Sequence, residues 1–259
     1  MATSFARMRI DADLSDDAAL GGRLRLLQLR RGHRFGHDAI LLAAAVPART
    51  GEHAIEFGAG VGAAGLALAA RVEGVAVTLA EIDHMLAELA DENARRNGLA
   101  DRVTARCVDI TAAQPALVAA GLKPASFDHV LINPPFNNPG RHIASPDPVR
   151  RGAHMGRSIA PWLASAARLL RHQGTLTMIF RADGLGDLLA ALPPAFGGLA
   201  ILPIYPQPHM PAIRVVVSAA KGGHRPLALR PGLLLNDLGR PTAAAEAILR
   251  DGFALSVRD

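Results

Sequence analysis

Short apolar runs recur along the chain, separated by stretches in which apolar residues return every three or four positions. The runs at 53–57, 75–80, 103–108, 127–132, 175–180, 199–204 and 213–219 are too short for buried helices and rich in β-branched residues, so they predict strands. Between them, 63–71, 84–97, 114–120, 161–172 and 185–192 have helical spacing. In 161–172 the apolar face is Trp162, Leu163, Ala166, Leu169 and Leu170. Gly98 stands where a glycine ends the helix before it. Largely apolar strands alternating with helices predict an α/β fold, a doubly wound, seven-stranded, mostly parallel sheet.

The two ends of the chain break this rhythm. Residues 1–20 carry Asp11, Asp13, Asp16 and Asp17 without periodicity, which predicts an irregular, loosely packed start. Gly21 and Gly22 mark a turn, and Leu24, Leu26 and Leu29, interleaved with Arg23, Arg25 and Arg30, predict a short β-ribbon. A glycine-punctuated loop at 31–38 leads to a helix over 39–46, with Asp38 near its start. A Pro-rich loop over 205–211 separates the last two strands; beyond them lie a short apolar run at 227–229 and a helix over 243–250. With no repeat, low-complexity tract or linker, the chain reads as one domain: an N-terminal extension over 1–50, a core over 51–222 and a C-terminal extension over 223–259.

Polar residues at the strand ends carry the candidate chemistry. Residues 58–65 contain Gly58, Gly60, Gly62 and Gly65, a loop that lets backbone approach a ligand at a helix N-terminus. Alone, this fits any nucleoside cofactor. Glu56, two residues before Gly58, disfavours a pyrophosphate and suits the cationic amino-acid end of S-adenosyl-L-methionine. Glu81 follows the second strand, beside Ile82 and Asp83, where a ribose would be held; Asp109 follows the third, placed to accept from adenine N6. Asn133, Pro134, Pro135 and Phe136 follow the fourth. A residue before proline is driven into extended backbone, so Asn133 and Pro134 present an amide oxygen and a carbonyl oxygen, a pair suited to both hydrogens of a planar –NH2 group. Residues 137–158 then form a long loop of functional type.

Composition narrows the setting. No apolar stretch is long enough to span a bilayer, and no signal-peptide pattern is present. The single cysteine, Cys107, reads as a buried strand thiol, and a reducing cytoplasm is the expected location. Ten histidines lack ligand spacing, so no metal is expected. The net charge is +5, and among 28 basic residues only Lys123 and Lys221 are lysine. Arg141, Arg150, Arg151, Arg157, Arg168 and Arg171 face one acid, Asp147; Arg23, Arg25, Arg30, Arg31 and Arg34 read as opposed only by Asp38. Two such clusters beside the Asn133 motif point to a polyanion such as nucleic acid.

Glu56 to Gly62, Glu81 to Asp83, Asp109 and residues 133–136 resemble the ordered motifs of class I S-adenosylmethionine-dependent methyltransferases that modify planar amino groups. The run 21–42 resembles that of bacterial tRNA1(Val) adenine-N6 methyltransferases, with His33 in place of a tyrosine and Phe136 in place of the commoner tyrosine. The resemblance covers roughly residues 12–255. It implies a Rossmann-like class I methyltransferase fold and N6-methylation of the adenosine 3′ of the anticodon (position 37), with the tRNA anticodon loop as partner. It further implies that Glu56, Gly58, Gly60 and Gly62 line the methionine end of the cofactor, that Glu81 holds the ribose hydroxyls, that Asp109 meets adenine, and that Ile82 and Asn133 also lie at the cofactor. Phe35 and Asp38 match the segment that closes over the cofactor, and residues 133–136 receive the base. The expected RNA contacts are Arg31, Arg34, Arg141, Arg150, Arg151 and Arg157, in a monomer or homodimer. Three other readings stay open: a release-factor glutamine methyltransferase, a ribosomal RNA or DNA amino-group methyltransferase, and a non-catalytic nucleic-acid-binding protein.

Overall fold

The computed structural model describes residues 13–32, 34–135 and 159–258. Strands β3 (His53–Phe57), β4 (Ala76–Glu81), β5 (Val103–Cys107) and β6 (Phe127–Ile132) are parallel neighbours in the order β5-β4-β3-β6. Beyond β6 come β7 (Leu170–Arg181), antiparallel β9 (Arg214–Lys221) and β8 (Phe196–Tyr205). The seven expected strands thus form, and two more, β10 (Ala228–Leu229) and β11 (Leu233–Leu234), run parallel along the outer edge of β8.

Side chains alternate between the faces of a strand, so each face of the sheet builds its own core. Leu79 and Val216 point to the side covered by α1 (His37–Ala45), α2 (Ala63–Arg71) and α3 (His84–Arg96), packing with Leu42, Leu66 and Ala90. Ile55, Ile132 and Met178 point to the other side and meet Leu117 of α4 (Gln114–Ala119), Leu163 of α5 (Ala160–Leu169) and Leu188 of α6 (Leu185–Ala191). Burying one leucine or isoleucine in this way contributes about 1.5–3 kcal/mol. No helix among the described residues is long and apolar enough to cross a membrane.

Four expectations need correction. Residues 14–19 are not irregular: β1 (Leu14–Ala19) pairs antiparallel with β2 (Leu24–Leu29) in a complete ribbon. Its acids serve the partner strand and its neighbours: Asp16 bonds Arg25 at 3.2 Å and Arg96 at 2.7 Å, and Asp17 bonds Arg34 at 2.9 Å. The basic cluster is therefore opposed by Asp16 and Asp17, while Asp38 pairs with Arg214 at 2.8 Å. Cys107 is exposed rather than buried, because β5 is the outermost strand on its side and its last two residues face solvent. Helix α5 stops at Leu169 instead of reaching 172, since Leu170 already pairs opposite Phe127 and is fully buried there.

After β11 a small hairpin of β12 (Asn236–Asp237) and β13 (Arg240–Pro241) leads to α7 (Ala243–Leu249). Thr242 caps α7 by accepting from the Ala245 N–H at 3.1 Å. Ile248 joins the core on the α1 side, and the Leu255 N–H bonds the Ala44 carbonyl at 2.8 Å, so the tail packs on the N-terminal helix.

Candidate active site

The parallel register aligns the carboxyl ends of four strands. Phe57 is level with Ala80 on one side and Ile132 on the other, and Glu81 is level with Cys107. Asp109, Glu81, Glu56 and Asn133 therefore stand at four successive strand ends in the order β5-β4-β3-β6. At the usual inter-strand spacing this row spans about 14 Å. Asn133 directly follows Ile132, the last residue of β6, which is level with Phe57. Asn133 is half-buried, Pro134 buried and Pro135 exposed.

The loop between β3 and α2 is shaped by its own carboxylates. Gly58, Gly60 and Gly62 have φ of 62°, 56° and 86°, backbone that side chains with a Cβ rarely adopt. Glu81 Oε2 accepts from the Gly60 N–H at 2.8 Å and Oε1 from the Asp83 N–H at 2.9 Å. Each oxygen keeps a further lone pair that these two bonds do not use. A Cβ on Gly60 would meet nothing within 4 Å, so the loop opens on free space there.

Glu56 lies beneath the loop. It is only 4 % exposed, and its Oε2 accepts from the Gly65 N–H at 2.7 Å. Burial pushes its carboxyl up to about 8; the Gly65 N–H opposes this and the neighbouring Glu81 adds to it. A helix N-terminus is where a pyrophosphate normally sits. Here the first turn of α2 is already occupied by the protein's own carboxyl group, which fits a nucleoside cofactor with no phosphate and not a dinucleotide.

One side chain of this site was not apparent from sequence. Trp162, which the helical spacing assigns only to the apolar face of α5, closes the loop from the far side. A Cβ on Gly58 would lie 2.6 Å from its indole, and its ring meets Phe57 edge-on at 6.5 Å. Asp109 is less free than expected: its Oδ1 accepts from the Thr111 N–H at 2.8 Å and the Thr111 hydroxyl at 2.6 Å. Ile82 is exposed beside Glu81.

Phe35 lies just before α1 and Asp38 in its first turn. Phe35 is half-buried and its N–H donates to Gln28 Oε1 at 3.1 Å. Asp38 pairs with Arg214, which faces Arg181 at the carboxyl end of β7, so the start of α1 is tied to the same edge as Asn133. Arg31 and Arg34 are exposed, Arg34 being paired with Asp17. Phe136, Arg141, Arg150, Arg151 and Arg157 lie outside the described residues. No group of three or more His, Cys, Asp or Glu among the described residues is arranged to hold a metal ion.

Comparison with known proteins follows the same lines. The model of the methyltransferase small domain family matches residues 34–191. A tRNA1(Val) (adenine(37)-N6)-methyltransferase of Enterobacter sp. (strain 638) is 32% identical over 149 residues, 56% of this chain and 58% of that protein, so the match spans less than two thirds of the relative. The protein of that name in Dickeya chrysanthemi (strain Ech1591) is 28% identical over 86% of this chain and 88% of its own length. Among solved structures, a predicted O-methyltransferase of Agrobacterium tumefaciens is 30% identical with a TM-score of 0.73, covering 86% of this chain and all of that one.

Proposed function

The chain belongs to the methyltransferase small domain family and has the class I methyltransferase fold, and from that premise we propose that it transfers a methyl group from S-adenosylmethionine to N6 of an adenosine in tRNA, the one 3′ of the anticodon. The observation that carries this is the row of Asp109, Glu81, Glu56 and Asn133 at adjacent strand ends, with Asn133 one residue beyond the Ile132–Phe57 pairing. Glu81 and Ile82 hold the ribose, Asp109 meets the adenine ring through its remaining oxygen, and the glycine loop passes along the methionine end. The names of the Enterobacter and Dickeya relatives support the choice of acceptor.

The lone pair of an exocyclic adenine amine is delocalised into the ring, so the nitrogen is a poor nucleophile. The Asn133 side-chain oxygen and the Pro134 carbonyl are acceptors only, and each takes one N–H of the amine. Two such bonds favour a pyramidal nitrogen with its lone pair available. When bound, the cofactor supplies a methyl group already activated by the sulfonium charge. What remains for the protein is alignment, which can lower the barrier by about 7–11 kcal/mol. No strong base is needed: as the N–C bond forms the S–CH3 bond breaks, the sulfur leaves as a neutral thioether, and the acidic proton of the methylated amine passes to water. Phe136 stacks on the swung-out base, whose unstacking costs about a few kcal/mol and less in a loop.

The test combines a substrate screen with one substitution. Labelled S-adenosylmethionine is incubated with unmodified total tRNA, ribosomes, DNA and a release factor, and the labelled fraction is digested. Label in tRNA, recovered as N6-methyladenosine, is expected; label in another fraction, or on an oxygen, refutes the reading. Asn133→Ala is expected to bind cofactor normally and to abolish transfer, and retained transfer would sink the mechanism.

A further inference from the structure

Helix α3 carries Asn93, and Asn97 stands one turn later at its end; both carboxamides pair with the backbone of β2 as a neighbouring strand would. Asn97 accepts from the Arg25 N–H and donates to its carbonyl, both at 2.9 Å. Asn93 accepts from the Leu27 N–H at 2.8 Å and donates to its carbonyl at 2.9 Å. The two pairs of bonds fix residues i and i+2 of one ribbon edge, so as ribbon anchors the two asparagines are equivalent.

They differ in what else the amide reaches. Asn93 is fully buried, and its amide also donates to the Val61 carbonyl at 3.0 Å, in the middle of the glycine loop. The second bond of the Asn97 amide goes only to the Asn93 carbonyl of its own helix, at 2.7 Å. One carboxamide thus ties the loop to the ribbon. The next ribbon residue, Gln28, is 2 % exposed, accepts from the Phe35 N–H and donates to Asp17 Oδ2 at 2.8 Å. Hydrogen bonds and one strand therefore connect the glycine loop to the segment that carries Phe35.

We propose that Asn93 is a positioning residue for cofactor binding: it sets the glycine loop at Val61 against the ribbon that bears Phe35, a task that its neighbour Asn97 does not share. This rests on reading the glycine loop as the S-adenosylmethionine site. A buried polar group removed from such a network leaves three partners unsatisfied, one of them in the loop itself.

The experiment compares Asn93→Ala with Asn97→Ala, using S-adenosylhomocysteine as probe. Urea denaturation gives the stability each loses, and titration calorimetry gives the dissociation constant. The chain has one tryptophan, Trp162, and it packs on Gly58, so its emission reports the loop directly. Asn93→Ala is expected to weaken binding about tenfold, the worth of one buried hydrogen bond, and to shift the Trp162 emission of the free protein. Asn97→Ala is expected to lose stability yet leave affinity and emission near the parent. If Asn93→Ala does not fold, Asn93→Ser, uncharged and able to bond back to a carbonyl of its own helix, removes the amide donors to Leu27 and Val61 and is read in the same way. Equal effects of the two positions on affinity, or an unchanged Asn93 variant, overturn the proposal. A parent protein that binds no S-adenosylhomocysteine overturns it together with the cofactor assignment. A parent that binds it without methylating tRNA removes only the acceptor reading.

Discussion

Replacing Glu56 by glutamine isolates the cost of keeping a carboxyl group under the glycine loop. The side chain keeps its shape and an oxygen for the Gly65 N–H, and loses only the ability to ionise. In the folded protein burial moves the Glu56 pKa from 4.5 to about 8. The folded state therefore holds this proton more tightly than the unfolded chain. Its contribution to stability is full below pH 4.5, falls as pH rises, and is gone once pH passes about 8. At about 1.4 kcal/mol per pH unit, the loss over that window is on the order of 5 kcal/mol. Urea denaturation of parent and Glu56→Gln at pH 5, 6, 7 and 8 measures it, since all other titrating groups cancel in the difference. The variant should match the parent closely at pH 5 and exceed it progressively towards pH 8. Parallel stability curves would show that the carboxyl is solvated or already ionised, and would refute this view of the loop.

Other positions give independent checks. Gly65 has ordinary backbone, but a Cβ there would lie 2.3 Å from Leu79 Cδ2 and 3.0 Å from Glu56 Oε2, so Gly65→Ala should cost about 1–3 kcal/mol in urea. At Gly60 only the positive φ opposes a side chain, and Gly60→Ala should cost about 1 kcal/mol. His129 is bonded to Thr175 at 2.7 Å and Glu52 at 2.8 Å, with Asp128 and Arg171 nearby. Burial lowers its pKa despite Glu52, so stability is present above about pH 6.5 and falls as pH drops below it; His129→Gln should flatten this slope in urea melts from pH 7 to 5. Arg150→Glu with Arg151→Glu should weaken tRNA binding while leaving cofactor affinity unchanged, and should lower the salt slope by about 1 for each phosphate no longer neutralised.

Much of this site is visible in the chain because strand ends are visible. An apolar run followed by Glu81, Asp109 or Asn133 marks both the strand and its functional edge, and β3, α2 and β6 have the bounds their hydrophobic spacing predicts. What stayed hidden depends on interactions between distant segments. Asp16 and Asp17 read as irregular because the arginines that place them in a strand are supplied by β2, the loop after it and α3. Asn93 did carry a local signal: it falls on the apolar stripe of α3 beside Leu89, Ala90 and Ala94, where a polar residue demands a buried partner. Trp162 gave none, since an aromatic residue on an apolar helical face is equally suited to ordinary core packing.

The two short strands laid along β8 bear on how copies of the chain can meet. A sheet recruits another chain through the unpaired N–H and C=O groups of an edge strand. Here the outer edge of β8 is taken by β10 and β11, each of two residues, with Pro231 and Gly232 between them. The opposite edge is β5, five residues long, with Arg106 exposed near its end. Among the described residues neither edge of this sheet offers a long, flat, apolar strand, so pairing of copies by extension of this sheet is disfavoured.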